Sequence, residues 1–271
     1  MTEILRYTAF SDDPKGGNPA GVVLDATGLS DERMQAIAAE VGFSETAFVL
    51  SPADGRYRVR YFSPLTEVSF CGHATVATAV ALGPGDHVFV TNAGEVPVRV
   101  AAGRATLTSV EPSVGDLPPA DLAALLAALR WSEPDLDESL PPRIAYAGAH
   151  HPILAAVSRG RLAELDYDVP TLKALMEAKG WTTIQLVFRA TGDTYDVRDP
   201  FPVGGIYEDP ATGAAAAALG AYLRELRLAP DDATLHLRQG DDLGRPSRIT
   251  VELRPGEPGV RVSGHAVPIP A

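Results

Sequence analysis

The sequence predicts an α+β protein of two lobes, each a β-sheet wrapped around one central helix. Three observations carry this. Short alternating or β-branched runs recur at strand length along the chain, two helical patterns consist almost wholly of small residues, and the segments around those helices match each other in order.

Taken in order, ILRYTAF and AGVVL are the first strand candidates. A helix over Asp31–Val41 follows, with Ser30 as its N-cap. RYRVRYF alternates as a strand, Gly72 to Leu82 is the first small-residue helix, and HVFVTN, VPVRV and RATLTSV resume the strand pattern. Pro112 to Pro142 is rich in Pro, Asp and Glu and encloses DLAALLAALR, so it reads as a connection with one helix of its own. Strand-like runs then return: RIAYAG, HPILAAV, WTTIQLVF, DTYDVR, ATLHLR, RITVEL and VRVSG. The expected division is 1–112 for the N-terminal lobe, which the C-terminal strand near 260–271 could complete, and 113–259 for the second lobe.

The second small-residue helix lies in EDPATGAAAAALGAYL, residues 208–223. Asp209 is a good N-cap, and Pro210 suits a first helical position because its missing N–H is not needed there. Alanine on every side lets strands approach the helix axis closely, which fits a helix enclosed by sheet. Laid without gaps on the segment from Val59, the segment from Val197 matches Arg60 to Arg198, Pro64 to Pro202 and Cys71 to Asp209. Such an internal duplication would point two helix N-termini toward a shared cleft. Free backbone N–H groups and the helix dipole there favour an anion. Gly72 and Gly213 would expose those N–H groups to a ligand.

Charge and composition exclude several classes. Lys and Arg number 23 against 35 Asp and Glu, a formal charge of −12 without any basic cluster, so no nucleic-acid partner is expected. ATVATAVAL, the most apolar stretch, falls short of the ~18 to 20 residues of a membrane span. A single cysteine, Cys71, and a start without basic or apolar leader regions give a cytoplasmic expectation. The histidines His87, His150, His151, His236 and His265 lack metal-ligand spacing, so no metal is expected. Without a GxxxxGK[ST] loop or a strand-linked GxGxxG, no nucleotide cofactor is expected either.

Glu45, in GFSETAFV, is a polar residue at the mouth of a strand. Partial burial would raise its pKa toward the range of a general acid or base. The plainer reading is a helix-to-strand turn in which Ser44 and Thr46 satisfy backbone groups. Asp209 is read either as a site residue or as a purely structural cap. His73 could donate to a substrate oxygen or shuttle a proton, or fill a polar niche at the helix start. A thiolate at Cys71 would be favoured by the helix N-terminus. Residues two apart on a helix do not face each other, however, so a Cys71–His73 dyad is not expected.

GGNPAGVVL at Gly16 to Leu24, MQAIAAEVGFSETAFV at Met34 to Val49, RYFSPLTEVSFCGHATVATA at Arg60 to Ala79, GGIYEDPATGAAAAALGAYL at Gly204 to Leu223 and QGDDLGRPSRI at Gln239 to Ile249 occur in order over nearly the whole chain. Together they resemble the phenazine-biosynthesis isomerase-like (PhzF type) family, with its diaminopimelate epimerase-like fold. The resemblance implies two pseudo-symmetric lobes with the active site in the cleft between them, a homodimer, and cofactor-independent proton transfer on a small carboxylate-bearing substrate. Glu45 would move the proton. His73 and Asp209 would orient polar groups, and Gly72, Thr212, Gly213 and Ala214 would line the substrate site. Three positions depart from the family pattern: Ala214 stands for its serine, removing a hydroxyl that would reach the substrate, Gly42 for an Asn, and Lys15 for an aromatic. A non-catalytic carboxylate binder and an amino-acid epimerase or racemase are the alternative functions. Two-base racemisation is disfavoured because the ungapped register opposes the Cys71 thiol to a carboxylate.

Overall fold

A computed structural model describes residues 2–53 and 55–270. Its elements in order are β1 (Leu5–Ala9), β2 (Asn18–Val23), α1 (Asp31–Val41), β3 (Glu45–Ala53), β4 (Arg56–Phe62), β5 (Glu67–Val68), α2 (Gly72–Leu82), β6 (Gly85–Thr91), β7 (Gly94–Ala101), β8 (Arg104–Thr108) and β9 (Ser113–Asp116). Then come α3 (Pro119–Leu129), β10 (Arg143–Tyr146), β11 (His150–Ala155), α4 (Arg159–Ala163), α5 (Val169–Lys179), β12 (Gln185–Arg189), β13 (Thr194–Pro200), β14 (Glu208–Asp209), α6 (Gly213–Glu225), β15 (Thr234–Gln239), β16 (Ser247–Glu252) and β17 (Arg261–Pro268). Two compact units result: Met1–Thr108 with Ser263–Ala271, and Ser109–Val262.

In the first unit the strands close on themselves in the order β1, β2, β3, β4, β6, β7, β8, β17 and back to β1. Closure removes the exposed edges that an open sheet would present. Helix α2 runs inside this barrel against β1, β2, β3, β7 and β8, and its residues from His73 to Ala79 are all buried. Only Ala, Thr, Val and Gly-sized side chains leave room for strands on every side. The hydroxyls of Thr75 and Thr78 are satisfied by the carbonyls of Cys71 and Ala74, each at 2.7 Å. Outside the barrel, α1 covers Val23, Phe48 and Phe62 with Met34, Ile37 and Ala38. It spans the predicted residues, with Ser30 accepting from the backbone N–H of Arg33 and Gly42 ending it in the left-handed region at φ 71°.

The second unit lays out β9, β10, β11, β12, β13, β15 and β16 as neighbours around α6, with parallel pairings between β11 and β12 and between β13 and β15. A Cβ on Gly220 would lie 2.7 Å from Val251 Cγ1, so the α6 backbone touches its sheet directly there. Helices α3 and α5 bury Leu125, Leu129, Leu172 and Met176 in a separate core. The sequence reading missed α5 and β9. Val169-Pro170 looks like a breaker, but Asp168 caps the helix and Pro170 occupies its first turn. Ser113–Asp116 is too short and polar to stand out until β10 pairs with it.

The expected start of α6 at Pro210 is corrected: the helix begins at Gly213, with Thr212 in the N-cap position. Ser247 Oγ donates to the Pro210 carbonyl at 2.8 Å, which holds that carbonyl outside the helical ladder. The first helical bond runs instead from Ala216 N–H to Thr212 O at 3.0 Å.

Candidate active site

Strand pairing fixes how the two units correspond. Phe48 pairs with Arg60 as Leu186 pairs with Arg198. Phe62 then pairs with Glu67, five residues on, whereas Pro200 pairs with Glu208, eight on. The second unit therefore carries a three-residue longer connection, and the ungapped register fails beyond it. Cys71, Gly72 and His73 correspond to Thr212, Gly213 and Ala214, since Gly72 and Gly213 each open their helix. Cys71 is matched by a hydroxyl, not by the Asp209 carboxylate. Arginine–glutamate pairs hold both turns: Arg60 Nε donates to Glu67 at 2.7 Å, and Arg198 Nε to Glu208 at 2.9 Å.

In the first unit, Glu45 opens β3 and His73 sits in the first turn of α2. Their side chains meet, His73 Nε2 lying 3.4 Å from Glu45 Oε2, with 6% and 14% of the two side chains exposed. Ser44 Oγ is 3.3 Å from the same nitrogen, and Asn18 Nδ2 is 3.2 Å from Nδ1. Thus β2, the α1–β3 turn and α2 converge on one imidazole. Burial holds His73 below the ordinary histidine range, against the opposing influence of the Glu45 charge and the Pro19 carbonyl. At neutral pH the ring is uncharged. The turn reading of Ser44 and Thr46 does not hold: the Ser44 hydroxyl meets His73, and Thr46 Oγ1 has no hydrogen-bond partner among the described residues.

The expectation that Cys71 and His73 do not face each other is corrected as well. Cys71 has extended backbone, φ −143° and ψ 117°, because it precedes the helix. Its Sγ lies 3.3 Å from Nδ1 and 3.9 Å from Nε2. A sulfur so nearly equidistant from both nitrogens rests on the ring face, since an in-plane approach would collide with ring carbon. The contact is packing, not a nucleophile–base hydrogen bond. Glu45, Cys71 and His73 also bring three possible metal-ligand atoms within 4.8 Å of one another. An ion in line with the Nε2 lone pair would face Glu45, while the sulfur stays over the ring, off that axis.

In the second unit, Asp209 ends β14 and Thr212 donates its hydroxyl proton to Asp209 Oδ2. Gln239 ties this start of α6 together: its Oε1 accepts from the Thr212 N–H at 3.0 Å, and its Nε2 donates to the Asp209 carbonyl at 2.8 Å. Gly213 is buried and Ala214 half-buried. Asp209 and Thr212 to Ala214 therefore gather at one helix N-terminus, as Glu45, Gly72 and His73 do at the other. Asn18, Ser44 and Gln239 were not singled out by sequence, although each lies in a segment that carries the family resemblance.

Comparison with known proteins shows the family and the fold. A family model described as phenazine biosynthesis-like protein, PhzC-PhzF, matches residues 7–271. An uncharacterized isomerase, YddE, of Salmonella typhimurium is 37% identical, covering 98% of this chain and 95% of its own. The trans-2,3-dihydro-3-hydroxyanthranilate isomerase of Pseudomonas aeruginosa is 34% identical over 92% of this chain and 89% of its own. Among solved structures, the Bacillus anthracis phenazine biosynthesis protein of the PhzF family superposes with a TM-score of 0.87 at 27% identity, covering 99% and 98% of the two chains.

Proposed function

The chain belongs to the PhzC-PhzF family of phenazine biosynthesis-like proteins and is an isomerase, and from that premise we propose that it moves a proton between carbons of a small carboxylate-bearing metabolite. The observation that carries this reading is the buried contact of Glu45 with a neutral His73 at the start of an enclosed helix. Glu45 as carboxylate takes a proton from a substrate C–H bond. The electron pair moves into the adjoining conjugated system, and the carboxylic acid so formed returns the proton at another carbon. Charge and atoms balance without a redox partner. An uncharged imidazole beside the carboxylate orients it by hydrogen bonding, and does not lock it into a full ion pair that would weaken it as a base. Ser44 and Asn18 fix the ring.

Each helix start carries its own candidate contacts for a substrate: Gly72 in the first unit, and Asp209, Thr212, Gly213 and Ala214 in the second. At Ala214 the hydroxyl of the family's serine is missing, so the substrate differs from those bound through it. Trans-2,3-dihydro-3-hydroxyanthranilate, which the Pseudomonas aeruginosa relative's name gives as its substrate, is the first probe of the reaction class. Incubated with it or related unsaturated carboxylates in deuterated water, the enzyme incorporates solvent deuterium at carbon or transfers substrate deuterium within the molecule. Tight binding of a metabolite with neither event would establish the carboxylate binder instead. A two-base epimerase is not favoured, because Thr212 stands where a second thiol would be required.

A further inference from the structure

A wholly buried tyrosine of the first unit, Tyr61, plays no part in the proton transfer above. On β4 it stands opposite Ala47 of β3 and Val68 of β5. Ala47 is two residues beyond Glu45, so Glu45, Ala47 and Tyr61 share one face of the sheet. The Tyr61 ring meets the ring of Phe70 edge-on, with 6.0 Å between centroids. Its hydroxyl lies 2.7 Å from Thr75 Oγ1 on α2.

Proton counting gives this contact a direction. Thr75 has one hydroxyl proton, which goes to the Cys71 carbonyl at 2.7 Å because a carbonyl can only accept. Tyr61 is therefore the donor to Thr75. The same carbonyl also accepts the Thr75 N–H at 3.0 Å. Two donors of one residue thus hold the carbonyl that immediately precedes Gly72 and His73, and Tyr61 holds one of those donors in place. Cys71 in turn lays its Sγ against the His73 ring, and His73 meets Glu45. Burial raises the Tyr61 hydroxyl well above the ordinary tyrosine range, with the Thr75 hydrogen bond opposing and Cys71 adding to the rise. It keeps its proton at every working pH.

The second unit uses the matching positions differently. Asp199 follows Arg198 as Tyr61 follows Arg60, and Ala216 lies three residues after Gly213 as Thr75 does after Gly72. No hydroxyl stands on α6 at that place. Asp199 instead accepts from Thr183 Oγ1 at 2.8 Å, and that oxygen lies 2.9 Å from His151 Nδ1. Thr183 is three residues before Leu186, as Glu45 is three before Phe48. In the second unit the strand residue ties up the counterpart of Glu45. In the first it reaches the helix and leaves Glu45 to His73.

We propose that Tyr61 is a positioning residue for the Glu45–His73 pair: through Thr75 its hydroxyl fixes the Cys71 carbonyl, and with it the start of α2 from which His73 reaches Glu45. The effect on turnover rests on the isomerase reading, whereas the effect on His73 does not.

Four variants of the full chain test this. Tyr61→Phe keeps the ring and its contact with Phe70 and removes only the hydroxyl. Thr75→Val breaks the chain at the next link, and Thr75→Ser preserves it. Thr78→Val, which removes the hydroxyl bonded to the Ala74 carbonyl, controls for a general loosening of α2. With 15N-labelled histidine, Tyr61→Phe and Thr75→Val shift the ring nitrogens of His73, whereas Thr75→Ser and Thr78→Val leave them at their wild-type positions. With trans-2,3-dihydro-3-hydroxyanthranilate in deuterated water, kcat for deuterium incorporation falls roughly tenfold in Tyr61→Phe, as for a slightly misplaced catalytic group, while KM stays close to wild type. Adding Thr75→Val to Tyr61→Phe costs no more than the larger single change, because both break one chain. His73 nitrogens unmoved by Tyr61→Phe, or moved equally by Thr78→Val, would overturn the positioning role. So would undiminished deuterium incorporation in Tyr61→Phe beside an active wild type. A wild type that exchanges nothing, with His73 shifted only where the chain is broken, counts against the isomerase reading and upholds the positioning role.

Discussion

At the scale of single residues, the proposed proton transfer rests on Glu45, whose carboxylate meets His73 in the first unit. Glu45→Gln keeps the shape and a hydrogen-bonding group but removes the proposed base. We expect solvent-deuterium incorporation into substrate to fall by about 10²- to 10⁴-fold, the range of general acid–base catalysis, with an unchanged melting curve. Retention of more than a tenth of the exchange rate would remove Glu45 from the role. Glu45 and His73 were legible as separate candidates in SETAFV and CGHAT. Their contact was not, since it depends on a strand opening and a helix start brought together by the barrel. The His151–Thr183–Asp199 chain was illegible for the same reason: its members come from β11, the approach to β12, and β13, and only the pairing of those strands aligns them.

At the scale of elements, the two arginine–glutamate turns differ in burial, and their variants separate accordingly. Arg198 and Glu208 have side chains 8% and 0% exposed, whereas Arg60 also reaches Asp31, which is 69% exposed. Arg198→Met leaves Glu208 buried without its partner, a change that costs on the order of 3–5 kcal/mol. Burial already raises Glu208 above the ordinary range, with Arg198 opposing that rise. Without the arginine, Glu208 takes up a proton in the fold, so the loss of stability grows as pH rises above the unfolded glutamate value. Urea midpoints at pH 5 and 8 read this directly, and adding Glu208→Gln to the variant restores part of the loss. Equal midpoints for Arg198→Met and wild type at pH 8 would show the pair to be dispensable. The small-residue helices make a complementary case. Alanine content announced an enclosed helix, and α6 is one, but its start was misplaced because Pro210 resembles a first-turn proline while Ser247, 37 residues away, holds its carbonyl. At Gly220, where the α6 backbone lies directly against side chains of its sheet, Gly220→Leu forces the chain apart from Val251 and Val260. We expect this overpacking to cost at least about 1–3 kcal/mol, seen as a lower Tm.

At the scale of the whole molecule, the chain leaves the first unit after β8 and returns to it at Ser263. Recurrent strand runs made both sheets legible in the sequence. The barrel's closure could be read only as an option, because VRVSG carries no mark of the strands it will join. In the structure β17 joins β1 through Tyr7 opposite Pro268 and Ala9 opposite Ala266, and it borders β8 on its other side. Arg104 donates to Ser263 Oγ at 2.7 Å across a separation of 159 residues. Phe10 donates its N–H to the His265 carbonyl, and a Cβ on Gly264 would fall 2.3 Å from the Phe10 ring, so this seam is packed backbone to ring. Removing residues 261–271 therefore deletes one stave of a closed barrel. It leaves the backbone groups of β1 and β8 unpaired and uncovers α2, a helix with no polar face to offer water. Loss of a long-range closing strand is not repaired locally, since neighbouring strands already have their partners. The truncated chain is expected to lose the cooperative unfolding of the first unit, to bind a hydrophobic dye, and to protect few amides of α2 from hydrogen exchange. Native-like protection of α2 without β17 would mean that the remaining seven strands enclose the helix on their own.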